Sequence, residues 1–232
     1  MVFVIGEIGV NWDGDIGLAK DMMINAKESG CDAVKFQAYN ETIIKDHPEK
    51  TRLMKAAISK TNVENINEIA RLVGIEWFCT PMYPDAVDFL EPFVKRFKIR
   101  EMDGRPLLKN ETAQLMERVL KTNKEIIVSC ESSPKGTKYY NLPNIRWLYC
   151  VPKYPCAVED LDFRKIKEYH GYSNHCPNLI APLAAVILGA KILEIHITSD
   201  KSKNFVDNNI SFDYVELRDL LKLVRSSEKL II

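Results

Sequence analysis

Short apolar runs alternate with longer amphipathic stretches from one end of the chain to the other. The short runs are Val2–Ile8, Ala33–Gln37, Glu76–Thr80, Arg96–Arg100, Glu125–Cys130, Ile145–Val151, Gly171–His175 and Lys191–Thr198. They are continuously apolar rather than alternating, which predicts parallel strands covered on both faces. Between them the period changes. Leu18, Met22, Met23 and Ala26 recur at helical spacing within Ile16–Ser29, and Ile66, Ile69, Ala70 and Val73 share one face of Asn62–Val73. Leu179–Leu188 is small and apolar enough for a buried helix. Phe212–Ser226 carries Val215, Leu217, Leu220, Leu221 and Val224, with Asp213 and Glu216 near its start, where the helix dipole favours acids. Eight such β runs separated by helical patterns predict an α/β fold, a closed (β/α)8 TIM barrel forming a single domain over residues 1–232.

Punctuation supports these boundaries. Asp15 stands where an N-cap would precede the first helix. Gly30, Gly74 and Gly189 each follow a helical pattern and precede a strand, where a left-handed residue closes a helix. Pro106 marks an expected helix start. The turn-rich span Glu131–Asn144 lacks a helical period and is expected to be a loop over the barrel mouth.

Composition narrows the partners. At 46% hydrophobic the chain can bury a full core, and 32 basic residues balance 32 acidic ones without a charged block. Neither nucleic acid nor a membrane surface is an expected partner. The opening residues carry no basic leader and an early carboxylate, unlike a signal peptide. Six cysteines without a C-x-x-C pair fit a thiol-reduced, cytoplasmic protein.

In a barrel of this type chemistry collects at the carboxyl ends of the strands. Those positions carry Glu7, Lys35, Gln37, Thr80, Lys98, Ser129, Ser173, His175 and His196, with Asn11, Glu101, Asp103, Glu131, Lys153, Tyr154 and Asp207 in the loops beyond. His175 and His196 end neighbouring strands and could share one divalent metal. Carboxylates from Glu7, Asp103 or Asp207 would harden such a site toward manganese or magnesium. The alternative is two histidines hydrogen-bonded without metal. Lys35 and Lys98, with Thr80, Ser129 and Ser173, form a candidate anion site. Alternatively, the lysines are internal partners of Glu7, Glu101 or Glu131.

Ordered motifs carry more than the individual positions. The opening Phe3-Val4-Ile5-Gly6-Glu7-Ile8-Gly9-Val10-Asn11, then Gly30-Cys31-Asp32-Ala33-Val34-Lys35-Phe36-Gln37, Cys79-Thr80-Pro81, Lys98-Ile99, Tyr154-Pro155, Gly171-Tyr172-Ser173-Asn174-His175 and Glu194-Ile195-His196-Ile197-Thr198 follow in sequence. This set resembles the sialic acid synthase (N-acetylneuraminate synthase) family over nearly the whole chain. The resemblance implies condensation of phosphoenolpyruvate with an aldehyde sugar to a 2-keto, nonulosonic-type sugar acid, with release of phosphate. It implies a divalent metal on His175 and His196, most often Mn2+, with Mg2+ or Co2+ as substitutes. It assigns phosphoenolpyruvate contacts to Lys35, Thr80, Lys98, Ser129, Tyr154 and Ser173. Glu7 matches the catalytic carboxylate, and Gln37 and Asp207 match positions on the sugar and metal side. A homodimer is also implied.

Several motif positions depart from the family. Trp12 replaces a histidine, Glu101 a serine, Glu131 a glycine, Pro152 an asparagine, Asn174 an aspartate and Asn208 a histidine. Glu101 and Glu131 would bring carboxylates toward the phosphate of the donor. They favour the alternative of a metal-dependent lyase, aldolase or isomerase acting on another donor. A catalytically retired barrel serving as a binding subunit is the non-enzymatic alternative. The family also carries a C-terminal antifreeze-like domain that contacts the acylated sugar; this sequence is expected to comprise the barrel alone.

Overall fold

The computed structural model describes residues 1–230. Eight strands, β1 (Phe3–Gly9), β2 (Ala33–Ala38), β3 (Glu76–Pro81), β4 (Arg96–Ile99), β5 (Glu125–Cys130), β6 (Ile145–Tyr149), β7 (Gly171–Asn174) and β8 (Ile192–His196), close into one barrel in chain order. Every neighbouring pair is parallel, and β8 closes on β1 through Phe3 opposite Ile192 to Glu7 opposite His196. The eight apolar runs of the sequence are these eight strands. Their side chains are buried almost throughout, inward within the barrel and outward beneath the helices.

The helices are α1 (Ile16–Ser29), α2 (Lys50–Ala56), α3 (Val63–Val73), α4 (Pro84–Leu90), α5 (Glu101–Leu108), α6 (Gln114–Lys121), α7 (Ile180–Ile187) and α8 (Tyr214–Ser227). Asp15 caps α1 by accepting from the Leu18 N–H, and Asp213 caps α8 by accepting from Val215 and Glu216 N–H groups while Glu216 reaches back to the Asp213 N–H. Gly30 and Gly74 close α1 and α3 with positive φ. Gly171 is required for a different reason. A Cβ there would stand 2.0 Å from the Ile192 carbonyl oxygen, so β7 and β8 approach too closely for any side chain.

Two features differ from the sequence reading. Pro106 lies inside α5, which starts at Glu101; a residue near the end of a short helix leaves little ladder to disrupt. Residues 131–144 do not cover the mouth. The segment leaves β5, buries Tyr139, and returns to the base of β6, where the Asn144 carbonyl accepts from Ile126 N–H. It takes the flank that a helix covers elsewhere. Two 3-10 turns, Val158–Asp160 and Phe163–Glu168, do the same between β6 and β7.

Candidate active site

The carboxyl ends of the strands surround a cavity of about 470 Å³. The eleven residues to which the resemblance gives roles all line it: Glu7, Lys35, Gln37, Thr80, Lys98, Ser129, Tyr154, Ser173, His175, His196 and Asp207. Register explains the convergence. Glu7 sits opposite Lys35 on one side and His196 on the other, Gln37 opposite Thr80, and Ser173 opposite Glu194.

On the floor two buried lysines meet two buried carboxylates. Lys35 Nζ is 2.9 Å from Glu7 Oε2 and donates to Thr80 Oγ1 at 3.0 Å. Lys98 Nζ donates to Ser129 Oγ at 2.7 Å. Glu194 Oε1 lies 3.8 Å from Lys35 Nζ and 3.7 Å from Lys98 Nζ, and accepts from Ser173 Oγ at 2.9 Å. Two ammonium groups thus share Glu194. Burial opposes its charge, but the lysines hold its carboxyl down at about 2. Burial lowers Lys98, whereas Glu194 and Glu7 together hold Lys35 above the ordinary lysine value against the same desolvation. Glu7 is oriented further by Gln37, whose Nε2 donates to its Oε1 at 2.7 Å. Gly9 permits this contact. Its φ is +54°, and an added Cβ would stand 3.1 Å from both Glu7 Oε1 and Gln37 Nε2.

The two histidines face one another across the mouth with ring centroids 5.6 Å apart. His175 Nδ1 is 2.7 Å from the Val151 carbonyl, which can only accept; this ring nitrogen therefore carries the proton and Nε2 is left with its lone pair. Burial, reinforced by His196, pushes the His175 pKa down to about 3, so the ring is neutral. His196 Nδ1 is buried without a hydrogen-bond partner and lies 3.5 Å from Asp207 Oδ2. Tyr154 packs on His175 with centroids 4.1 Å apart. Asn11 ties the strand β8 loop down, donating to the Ile197 carbonyl and Ser211 Oγ while accepting from the Asp207 N–H.

This donor set fits a divalent metal. One imidazole is fixed in the ligating tautomer, and the other has an orphaned buried nitrogen beside a carboxylate. Among the described residues no group of three or more His, Cys, Asp or Glu forms a ready-made cage. A metal here would therefore take the two histidine nitrogens and leave positions for oxygen ligands.

The comparisons with known proteins concern the chain as a whole. The NeuB family model matches residues 22–231. The chain belongs to the NeuB family. It is 30% identical to N,N'-diacetyllegionaminic acid synthase of Legionella pneumophila, over 99% of this chain and 73% of that one. It is 31% identical to mouse (Mus musculus) N-acetylneuraminate-9-phosphate synthase, over 98% of this chain and 70% of the relative. A solved sialic acid synthetase from Leptospira borgpetersenii, in complex with citrate, superposes with a TM-score of 0.88 at 28% identity, covering 99% of this chain and 85% of the other.

Several side chains of this NeuB-family barrel change the picture drawn from sequence. Glu194, part of the Glu194–Thr198 motif but not among the candidate site residues, lies at the centre of the floor. Its spacing of two from His196 was the available signal, because alternate residues of a strand share a face. Arg100 and Arg105 also line the cavity, as does Cys150. The Cys150 thiol, pushed up to about 12 chiefly by burial, is not a thiolate at neutral pH.

The two departing glutamates behave differently from expectation. Glu101 lines the cavity, but Arg105 pairs with it at 2.7 Å from the next turn of α5. Glu131 is exposed and does not line the cavity. Asp103 is held by Arg100 at 2.5 Å and is likewise outside the lining. Lys153 pairs with Asp160 on the surface, also away from the lining. Trp12 is buried, donating its indole N–H to the Ala56 carbonyl.

Proposed function

We propose that this chain condenses phosphoenolpyruvate with an aldehyde sugar to give a 2-keto, nonulosonic-type sugar acid, releasing phosphate. The observation that carries the proposal is the meeting of Lys35, Lys98, Thr80, Ser129 and Ser173 beside Glu7, His175 and His196 in one cavity. Lysines with hydroxyls suit a dianionic phosphate and a carboxylate. Retention of the whole set also argues against a retired barrel, since packing alone does not require it.

In this reading Lys35 and Lys98 hold the phosphate and carboxylate of the donor, assisted by the three hydroxyls. Tyr154 closes one side of the cavity against His175. His175 and His196 would hold a divalent ion, Mn2+ as the first expectation, whose chemistry there would be Lewis-acid polarisation of a carbonyl oxygen. The alkene carbon of phosphoenolpyruvate bonds to the aldehyde carbon, and the carbonyl oxygen takes up a proton and becomes a hydroxyl. Water adds to the resulting oxocarbenium carbon, with Glu7 accepting its proton; cleavage of the carbon–oxygen bond then expels phosphate and leaves the ketone. Gln37 keeps the Glu7 carboxylate facing the cavity, and Asp207 orients His196.

The alternative of a changed donor rested on Glu101 and Glu131. The Arg105 pair offsets the first, and the second lies outside the cavity, so that alternative loses its particular support. The proposal is tested by calorimetric titration of phosphoenolpyruvate into Mn2+-loaded protein. Saturable binding, weakened in Lys98→Met, is expected. A folded, metal-loaded protein that binds no phosphoenolpyruvate would overturn it.

A further inference from the structure

Asp207 follows an exposed stretch of loop, residues 201–204, yet its Oδ2 is turned inward to 3.5 Å from the buried His196 Nδ1. A carboxylate in such a loop gains most by facing water, so its inward turn needs a cause. Two buried side chains hold it through its backbone. Asn11 Oδ1 accepts from the Asp207 N–H at 3.1 Å, and Ser211 Oγ donates to the Asp207 carbonyl at 2.7 Å. Asn11 Nδ2 donates to Ser211 Oγ at 3.0 Å and closes the ring. The same nitrogen donates at 2.9 Å to the carbonyl of Ile197, the residue after His196. A peptide N–H only donates and a peptide carbonyl only accepts, so these partners fix which end of the Asn11 amide is oxygen. Asn11 and Ser211 are both 0% exposed. Other ties serve other parts of the loop: Asn208 donates to the Asp200 carbonyl at 3.2 Å, and Arg52 to the Asn204 carbonyl at 2.5 Å. Within the turn, Ile210 N–H also donates to the Asp207 carbonyl, at 3.2 Å.

We infer that Asn11 and Ser211 are positioning residues that act through Asp207: together they hold its carboxylate against the His196 ring. The clamp grips the Asp207 backbone at both its N–H and its carbonyl, and so leaves the carboxylate for His196. It also ties Asp207 and the end of β8 to one side chain, which fixes the two partners relative to each other. The Ser211 hydroxyl is the link: it accepts from Asn11 and donates to Asp207, so removing it opens the ring without disturbing the packing of an apolar group. The consequence for metal affinity rests on the proposed two-histidine site. There a partner that orients a ligating histidine typically accounts for about 10–100-fold in affinity.

The test is a double-mutant cycle on Mn2+ affinity, read by electron paramagnetic resonance on folded protein. Ser211→Ala and Asp207→Ala are each expected to weaken Mn2+ by about tenfold or more. The double variant should bind no more weakly than Asp207→Ala alone, because Ser211 has no route to the site except Asp207. Asn11→Asp, which keeps its shape but can no longer donate to Ser211 and Ile197, should weaken Mn2+ as Ser211→Ala does. Trp77→Phe is the control for stability alone: it removes the indole hydrogen bond to Asn67, near the start of β3 and away from the mouth, and should leave Mn2+ affinity unchanged. Unchanged affinity in Ser211→Ala, effects of Ser211→Ala and Asp207→Ala that add, or an equal loss in Trp77→Phe overturns the inference. If wild type takes up no Mn2+, the metal reading fails, and the clamp is read on the metal-free protein by 15N NMR of the histidine rings. Ser211→Ala shifting the His196 resonances while those of His170 stay in place upholds it, and unmoved His196 resonances overturn it.

Discussion

Replacing Glu194 by Gln removes the negative charge shared by the two lysines while keeping the shape of the side chain. At 3.8 and 3.7 Å each pair is worth about 4 kcal/mol at an effective dielectric near 20. Relief of the carboxylate's own desolvation offsets several kcal/mol of that sum, and breaking a buried pair from one side typically leaves a net loss of about 3–5 kcal/mol. Lys98 is affected more than Lys35. Burial already lowers it and Glu194 is its main electrostatic support, while Lys35 keeps Glu7 at 2.9 Å. The expected outcome is a urea midpoint well below wild type at pH 7 and a melting temperature lower by about 6–20 °C at 2–4 °C per kcal/mol. The same substitution leaves the cavity more cationic. Phosphoenolpyruvate should therefore bind Glu194→Gln at least as tightly as wild type and restore part of the lost stability. Stability equal to wild type, or a lost affinity in a folded variant, would refute the view of Glu194 as an internal counter-ion to an anion site.

Gly171→Ala forces a Cβ to within 2.0 Å of the Ile192 carbonyl oxygen and should destabilise the barrel by more than about 4 kcal/mol or prevent folding; a denaturation midpoint near wild type would show that β7 and β8 can separate. Acid should weaken the fold below about pH 6.5. His175 is held neutral down to about 3, and His170, desolvated and beside Arg146, is also lowered while its Nδ1 accepts from the Trp147 N–H at 3.0 Å. Their folded values lie below the unfolded one, so their stabilisation is complete above pH 6.5 and is lost as pH falls toward the folded values; His175 alone removes about 2 kcal/mol between pH 6.5 and 5. His170→Asn, which retains an acceptor, should give a shallower decline, measured by urea midpoints at pH 7 and 5. Wild-type protein dialysed against Mn2+ should retain about one ion per chain and His196→Ala should retain none; equal metal content by elemental analysis would remove the two-histidine assignment.

The strands were legible because a parallel barrel strand is buried on both faces, and continuous apolar runs reveal that condition without reference to tertiary structure. The site was legible through the same runs: polar residues at their carboxyl ends have nowhere to go except the mouth. Glu194 escaped because it lies inside a strand, where a charge reads as an interruption until its inward face and two lysine partners are known. Glu101 was misjudged for a related reason. Its counter-ion Arg105 lies one helical turn on, and α5 was hidden by Pro106. The flank formed by residues 131–144 could not be read from periodicity, since it packs through isolated residues such as Tyr139 instead of a repeated face.

The central claim is most directly tested by product formation. Protein, Mn2+, phosphoenolpyruvate and an aldose acceptor would be followed together by phosphorus and carbon NMR. The account predicts inorganic phosphate and a new C2 ketone or its hemiketal appearing in equal amounts, dependent on both substrates and absent in His196→Ala. Phosphate release without a new carbon–carbon bond, or no consumption of phosphoenolpyruvate with any aldehyde by folded, metal-loaded protein, would contradict it.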